Sequence, residues 1–255
     1  MPRKAKLTLV GAGPGDPELI TLKGIRALKD ADVVLYDALA NEELLAYCKE
    51  SAIKTFVGKR AGFHVYQQDQ INEAIVSEAK AHGHVVRLKG GDPYVFGRGH
   101  EELEYAEAHG LEVELIPGIT SAISVPALNQ IPLTRRGYNE SFWVLTAVKS
   151  DGSLAADLEL ATQSTATVVI LMGMKKLPAI LDVFIKHGKK DTPAAVIQNG
   201  SRPDKKIVIG KVDTLAQLVL DNDLQSPAII VIGQTVHLGE AKLKKEMETL
   251  DLSQR

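Results

Sequence analysis

The chain has 255 residues, 45% apolar and 24% charged, the proportions of an ordinary globular protein and not of a disordered or fibrous one. Thirty basic against thirty-two acidic residues leave a formal charge of -2, which argues against a general nucleic-acid binder and leaves room only for a local basic cleft. A single cysteine, Cys48, excludes an internal disulfide, and no stretch approaches the roughly 20 apolar residues of a membrane span.

The first residues, Met1-Pro-Arg-Lys-Ala-Lys, lack the apolar core of a secretion signal and run directly into a strand, so the chain reads as cytoplasmic. Short β-branched runs then alternate with helical patterns. Residues 7–10, 33–36, 84–88 and 112–116 read as buried strands. Asp16, Pro17 and Glu18 have the form of a helix start, with Leu22, Ile25 and Leu28 marking one face. A second helix carries Ile71, Ile75 and Ala79 and stops at Gly83. The histidines on either side of that glycine, His82 and His84, read as turn residues and not as metal ligands. A third helix should run from about Gly99 to Gly110.

Pro117-Gly118 breaks this series near the midpoint, and a second one follows. Its strands are 142–146, 167–172, 194–197, 207–209 and 228–232, with helical stretches at 178–187 and 214–220. Strand–helix alternation implies a parallel sheet covered by helices, while the richer strand content of the second half suggests a mixed sheet. The expected architecture is two tandem α/β domains, residues 1–117 and 118–240. A polar tail follows at 241–255, its lysine-rich approach from Leu238 reading as a solvated helix or frayed end.

Three glycine-rich segments follow strands in the first half. The first is Val10-Gly-Ala-Gly-Pro-Gly15-Asp-Pro-Glu-Leu-Ile-Thr21. It lacks the third glycine of a dinucleotide fingerprint, which falls on Asp16, and it lacks the Gly-Lys-Ser/Thr of a phosphate loop. The second, Arg87-Leu-Lys-Gly90-Gly-Asp92-Pro-Tyr-Val95-Phe-Gly-Arg98-Gly-His-Glu-Glu102, places two adjacent glycines, an acid and a proline after a strand. Asp92 there could be a plain helix cap and Arg98 a surface cation. The third is Pro117-Gly-Ile-Thr120-Ser-Ala122, where Thr120 or Ser121 could cap a helix. Because all three follow strands of one sheet, their loops can converge on a crevice at its carboxyl edge, where ligands bind in open α/β sheets.

Together these segments resemble the tetrapyrrole methylase family, and within it the uroporphyrinogen-III C-methyltransferases. Gly11–Gly15 with Leu19-Ile-Thr-Leu-Lys23 is similar to the first family signature. Asp32-Val-Val-Leu-Tyr-Asp37, Val57-Gly-Lys59-Arg60, Gln70-Ile-Asn72, Gly90–Gly99 and Pro117–Ser121 continue in order, and Pro132-Leu-Thr134 and Met172-Gly173 carry the likeness into the second half, so that it spans about residues 5–240. His100 stands where glycine is usual, and Arg135 where histidine follows the Pro-Leu-Thr.

The resemblance implies a cofactor cleft between two α/β domains, S-adenosylmethionine as donor with S-adenosylhomocysteine as product, no metal, and a homodimer without nucleic-acid or membrane partners. The reaction implied is methylation of uroporphyrinogen III at C2 and C7, through precorrin-1 to precorrin-2, feeding sirohaem or cobalamin formation. Some relatives are fused to a dehydrogenase–chelatase or a synthase module, and this chain resembles the stand-alone form. By resemblance Asp37 is the proton acceptor and Lys59 the proton donor. Pro14, Gly90, Gly91, Asp92, Val95, Thr120, Ser121, Met172 and Gly200 are implied cofactor contacts. Read without the family, Asp37 is a strand-end cap, Lys59 a solvated lysine and Met172 core packing. A substrate with eight carboxylates calls for a basic lining, for which Arg60, Arg98, Arg135 and Arg136 are candidates alongside Lys59.

Three rivals stand against that reading. A family member acting on a later corrinoid precursor or on a different acceptor is disfavoured by Gly58-Lys-Arg60 and Tyr94-Val-Phe-Gly-Arg-Gly99. A nicotinamide-dependent oxidoreductase needs the missing third glycine, and a non-catalytic nucleotide-binding module would tolerate loss of Asp37 and Lys59.

Overall fold

Each buried β-branched run of the first half forms a strand, and a four-residue strand that the sequence conceals joins them at the edge. The computed structural model describes residues 4–58, 66–149 and 151–240, and the chain divides into two compact units, Met1–Thr120 and Ser121–Arg255. In the first unit the chain runs through β1 (Lys6–Gly11), α1 (Leu22–Asp30), β2 (Val33–Tyr36), β3 (Ile53–Phe56), α2 (Gln68–His82), β4 (His84–Lys89), α3 (Gly99–Ala108) and β5 (Glu112–Ile116). The strands pair in the order β3-β2-β4-β1-β5, every neighbour parallel. Successive side chains go to opposite faces. Leu7, Leu9, Val33, Leu35 and Val85 pack under α2 and α3, whereas Val10, Val34, Val86 and Leu88 pack with Leu28 of α1 and Leu44.

β1 and β4 are neighbours whose onward connections cover opposite faces, α1 lying on one and α3 on the other. Adjacent strands with diverging connections open a crevice at their carboxyl ends, the switch point of an open α/β sheet.

The second unit starts with α4 (Ser121–Leu128). It continues through β6 (Phe142–Thr146), α5 (Asp157–Gln163), β7 (Thr167–Leu171), α6 (Leu177–Lys186), β8 (Pro193–Gln198), β9 (Lys206–Lys211), α7 (Leu215–Asp221) and β10 (Ala228–Ile232). Its sheet, in the order β6-β7-β10-β8-β9, is mixed: only β6 and β7 pair in parallel. Ala122 and Val125 of α4 cover one face against Val169, Ile197 and Val231, and α5, α6 and α7 cover the other. Because β7 and β8 both run antiparallel to β10, they leave the sheet at the same edge.

Some sequence expectations are corrected. Asp16 does not start the first helix. Its carboxylate accepts from the Glu18 N–H at 2.9 Å and caps only one 3₁₀ turn, Pro17–Leu19. Extended backbone follows, and the Thr21 hydroxyl, accepting from the Gly24 N–H at 3.0 Å, starts α1 one residue later. Leu22 is accordingly 75% exposed and not on the buried face, which is made by Gly24 and Leu28. Met172 lies outside β7, where φ turns to +56°. His82 closes α2 and His84 opens β4, so neither is a turn residue. His84 is buried, with Nε2 2.8 Å from the Thr8 hydroxyl. β3 and α5 are elements the sequence did not reveal.

Candidate active site

The crevice is closed at its floor by three loops drawn unusually close. After β1, the Ala12 N–H donates to the Lys89 carbonyl at 2.7 Å, and Gly13 and Gly91 exchange hydrogen bonds of 3.2 and 2.7 Å. A Cβ on Gly11 would lie 2.4 Å from the Cα of Gly118, and one on Gly118 would lie 2.2 Å from the Gly91 carbonyl oxygen. No side chain fits between these backbones. Gly91 itself has φ +67°, and the space its side chain would occupy meets only the Thr120 Cα, at 4.0 Å. The three glycine-rich segments therefore do meet, and they leave an open volume in front of Gly91.

Asp92 ties two of the loops together. Its carboxylate accepts from the Gly118 N–H at 3.0 Å and from the Tyr94 N–H at 2.8 Å, so it braces loops instead of capping α3, whose N-terminal flank is Arg98. Val95 follows in the same turn, its N–H donating to the Asp92 carbonyl at 3.2 Å. Pro14 is half-buried in the first loop. Beyond Val95 the backbone is left-handed at Phe96 and Arg98, with φ of 55° and 57°, and Tyr94 and Phe96 are exposed. Non-glycine residues in that region concentrate at functional sites.

The β2 loop joins this edge. The Asp37 Oδ1 accepts from the N–H groups of Leu39 at 3.1 Å, Ala40 at 3.2 Å and Gly90 at 3.4 Å. Its Oδ2 is 3.4 Å from the Arg87 guanidinium. The carboxylate thus does cap its own turn, yet it keeps a side-chain exposure of 22%. Gly90 is wedged against Leu39, where a Cβ would come within 2.4 Å of the Leu39 Cβ. The Asn41 amide donates to the Gly15 carbonyl at 2.9 Å, bringing the β1 loop into the same assembly. Gly58, at the end of the β3 connection, lies against Ala38 next to Asp37. Lys59 and Arg60 lie outside the described residues.

Beneath Asp37 the sequence reading missed a charged cluster. Arg87 and Lys89 sit on the α3-covered face of β4, 3% and 5% exposed, opposite Glu102 of α3 at 1%. The Lys89 ammonium is 2.7 Å from the Glu102 carboxylate, and the Arg87 guanidinium 3.6 Å from it. The Gln68 amide donates to the same carboxylate oxygen at 3.2 Å. Burial, with Arg87 beside it, pushes the Lys89 ammonium below its ordinary value, while Glu102 pulls it back up. The available signal was two cations alternating with apolar residues at the end of a buried strand.

Arg98 is exposed and grips Glu101 with its Nε and terminal nitrogens, which holds its guanidinium above its ordinary range. His100 pairs with Glu104 at 3.2 Å and meets the Tyr94 ring edge-on.

In the second unit, Met172 is 60% exposed in a left-handed conformation, not packed in the core. Asn199 is also left-handed, at the same sheet edge. Gly200 after it is buried against Val125, and its carbonyl accepts from the Asn129 amide at 3.0 Å, so packing alone explains a glycine there. Ser121 is the first residue of α4, after Thr120. Arg135, Arg136 and Tyr138 are exposed, with the Arg135 guanidinium 4.7 Å over the Tyr138 ring. Among the described residues no group of three His, Cys, Asp or Glu side chains could hold a metal ion, and no helix is long and apolar enough to cross a membrane.

The family model of the tetrapyrrole (corrin/porphyrin) methylases matches residues 6–216. The chain belongs to this family. It is 43% identical over 235 residues to the uroporphyrinogen-III C-methyltransferase of Methanocaldococcus jannaschii, covering 91% of this chain and 97% of that one. It is 43% identical to the sirohaem synthase of Pseudomonas fluorescens, over 91% of this chain but 50% of that longer protein. The crystal structure of uroporphyrin-III C-methyltransferase from Thermus thermophilus, complexed with S-adenosylhomocysteine, is similar with a TM-score of 0.78. The two share 37% identity, covering 91% of this chain and 99% of the other. The two tandem α/β units are those of a tetrapyrrole methylase.

Proposed function

We propose that this tetrapyrrole methylase transfers two methyl groups from S-adenosylmethionine to uroporphyrinogen III, at C2 and C7, to give precorrin-2 for sirohaem or cobalamin formation. We further propose that it works in the cytoplasm as a homodimer. The observation that carries the reaction is the junction of Gly11, Gly91 and Gly118, with the Asp37 carboxylate on the adjoining loop. The family relation supports donor and acceptor.

The residues present suit a flat nucleoside bearing a cationic sulfur and an amino-acid group. The open volume in front of Gly91, the half-buried Pro14, and the backbone at Gly90, Val95 and Thr120 offer a surface of close approach. Asp92 holds these loops in shape, and in the second unit Ser121 and the exposed Met172 would add contacts. Gly200 would serve through the packing of its loop. When bound, S-adenosylmethionine supplies an electrophilic methyl group and leaves as S-adenosylhomocysteine.

A pyrrole carbon of the reduced macrocycle is electron-rich, so the protein needs to align it and exclude water. Exposed Tyr94 and Phe96 provide apolar surface beside the loops for that purpose. The methylated ring system is cationic and must then lose a proton, which Asp37 accepts; Lys59 donates where a proton is required. Arg60, Arg98, Arg135 and Arg136 would hold substrate carboxylates, Arg98 by sharing its guanidinium with Glu101.

The test is anaerobic incubation with S-adenosylmethionine and freshly generated uroporphyrinogen III, followed by mass spectrometry of the tetrapyrrole. Two added methyl groups, dependent on the donor, are expected. Donor binding without methylation of this acceptor would show that the acceptor is wrong, and absence of donor binding would overturn the reading as a whole.

A further inference from the structure

The carboxylate assigned as proton acceptor rests on a cluster of buried charges that neither strand packing nor loop geometry requires. Arg87 touches Asp37 through one terminal nitrogen, at 3.4 Å, and donates through the other to the Leu88 carbonyl at 3.0 Å. Behind it, Lys89 and Glu102 form a 2.7 Å ion pair under α2 and α3. The cluster is imperfectly satisfied. The Arg87 Nε and the second Glu102 oxygen are buried and make no hydrogen bond. Such a group contributes less to folding than apolar side chains of the same volume would, so its presence at the end of a core strand points to another use.

We propose that Arg87, Lys89 and Glu102 are positioning residues that set the charge felt by Asp37, and through it the pH at which Asp37 can accept the substrate proton. This rests on the reading of Asp37 as the acceptor. Among the described residues, the charges facing the carboxylate come from β4, as Arg87 and then Lys89, and from α3, as Glu102. Tyr36, one residue earlier, lies on the opposite face of the sheet, and Lys59 follows Gly58 outside the described residues. With Asp37 ionised, two cations face two anions and the cluster is neutral. When Asp37 takes up the proton, one positive charge is left in excess. Changing any member of the buried group therefore changes the charge balance next to Asp37.

The arrangement predicts shifts of opposite sign, which a scaffold would not give. Acceptance requires an ionised base, so the acid limb of the kcat–pH profile reads the acceptor. Removing a neighbouring cation strengthens proton binding and moves that limb up. Removing the buried anion leaves the cations uncompensated and moves it down. Arg87→Gln is expected to raise the limb by about one pH unit and Glu102→Gln to lower it by about half a unit, both with S-adenosylmethionine affinity retained by calorimetry. Lys89→Gln should shift it upward and serves as the test if Arg87→Gln fails to fold.

Asp37→Asn separates the two levels of the argument. Full turnover in that variant would remove the acceptor assignment itself. An inactive Asp37→Asn enzyme, with profiles unmoved or moved in one direction by Glu102→Gln and Lys89→Gln alike, would leave the acceptor in place and overturn the role of the cluster. A wild-type profile flat on the acid side would overturn it too.

Discussion

Met172 is a residue out of place for folding, and the donor contact proposed for it would give that conformation a use. Its φ of +56° is one an L side chain adopts at a cost of roughly 1–2 kcal/mol, and at 60% exposure it recovers little by burial. Met172→Gly relieves that strain but gives back about 0.5–1 kcal/mol through the greater freedom of glycine in the unfolded chain. The expected outcome is a Tm within a few degrees of the parent and a Kd for S-adenosylmethionine weakened several-fold by calorimetry. A large drop in Tm with unchanged affinity would make Met172 a packing residue. Asp37 is the contrasting case, because its capping role was legible from its place at a strand end. Its ion pair with Arg87 was not: it depends on β4 lying next to β2 with Leu35 opposite Arg87, and strand order is not written locally in the sequence.

At the scale of elements, the strands were legible wherever both faces are covered, because burial there selects unbroken β-branched runs. β3 escaped since Ile53 and Lys54 are exposed on an edge strand, which removes the hydrophobic pattern. The start of α1 was misplaced because Asp16-Pro17-Glu18 satisfies the local capping rule while the chain straightens again at Ile20 and Thr21. The Thr21 hydroxyl is therefore the helix-starting group, and Thr21→Ala should cost about 1 kcal/mol in urea unfolding. The glycine loops were legible as close-approach segments, though their partners were not. Gly118→Ala forces a methyl against the Gly91 carbonyl, a contact that backbone cannot vacate. It should destabilise by about 3 kcal/mol or more. Gly110→Ala, with open space but φ +82°, should lose only about 1 kcal/mol. Equal losses in the two variants would show that the loop junction has room to relax.

Across the whole molecule, the groups whose titration is most tied to folding lie in the first unit, which gives the protein an acid-sensitive half. His84 is buried on β4, and burial, helped by Lys6, holds its imidazole below the ordinary value of 6.5 despite the Asp30 carboxylate 3.3 Å away. The unfolded chain then binds a proton that the folded one refuses. The stabilising contribution is complete above about pH 6.5 and is lost as pH falls from there toward the folded value. Glu114, held down by Lys23 and Lys6 at 2.8 and 2.7 Å, adds a second loss, fully present above about pH 4.5 and fading as pH falls through its lowered value. In the second unit the comparable pair, Asp191 with Lys211, is exposed and contributes little. Amide exchange of β1 and β4 peptides should accelerate between pH 7 and 5, after correction for intrinsic rates, before that of β7 and β10 peptides. His84→Gln should flatten this limb while leaving the one below pH 4.5. If the pairing with Asp30 outweighed burial, the folded state would hold the proton more tightly and β4 would become better protected on acidification, so the sign of one slope decides between the two forces acting on His84.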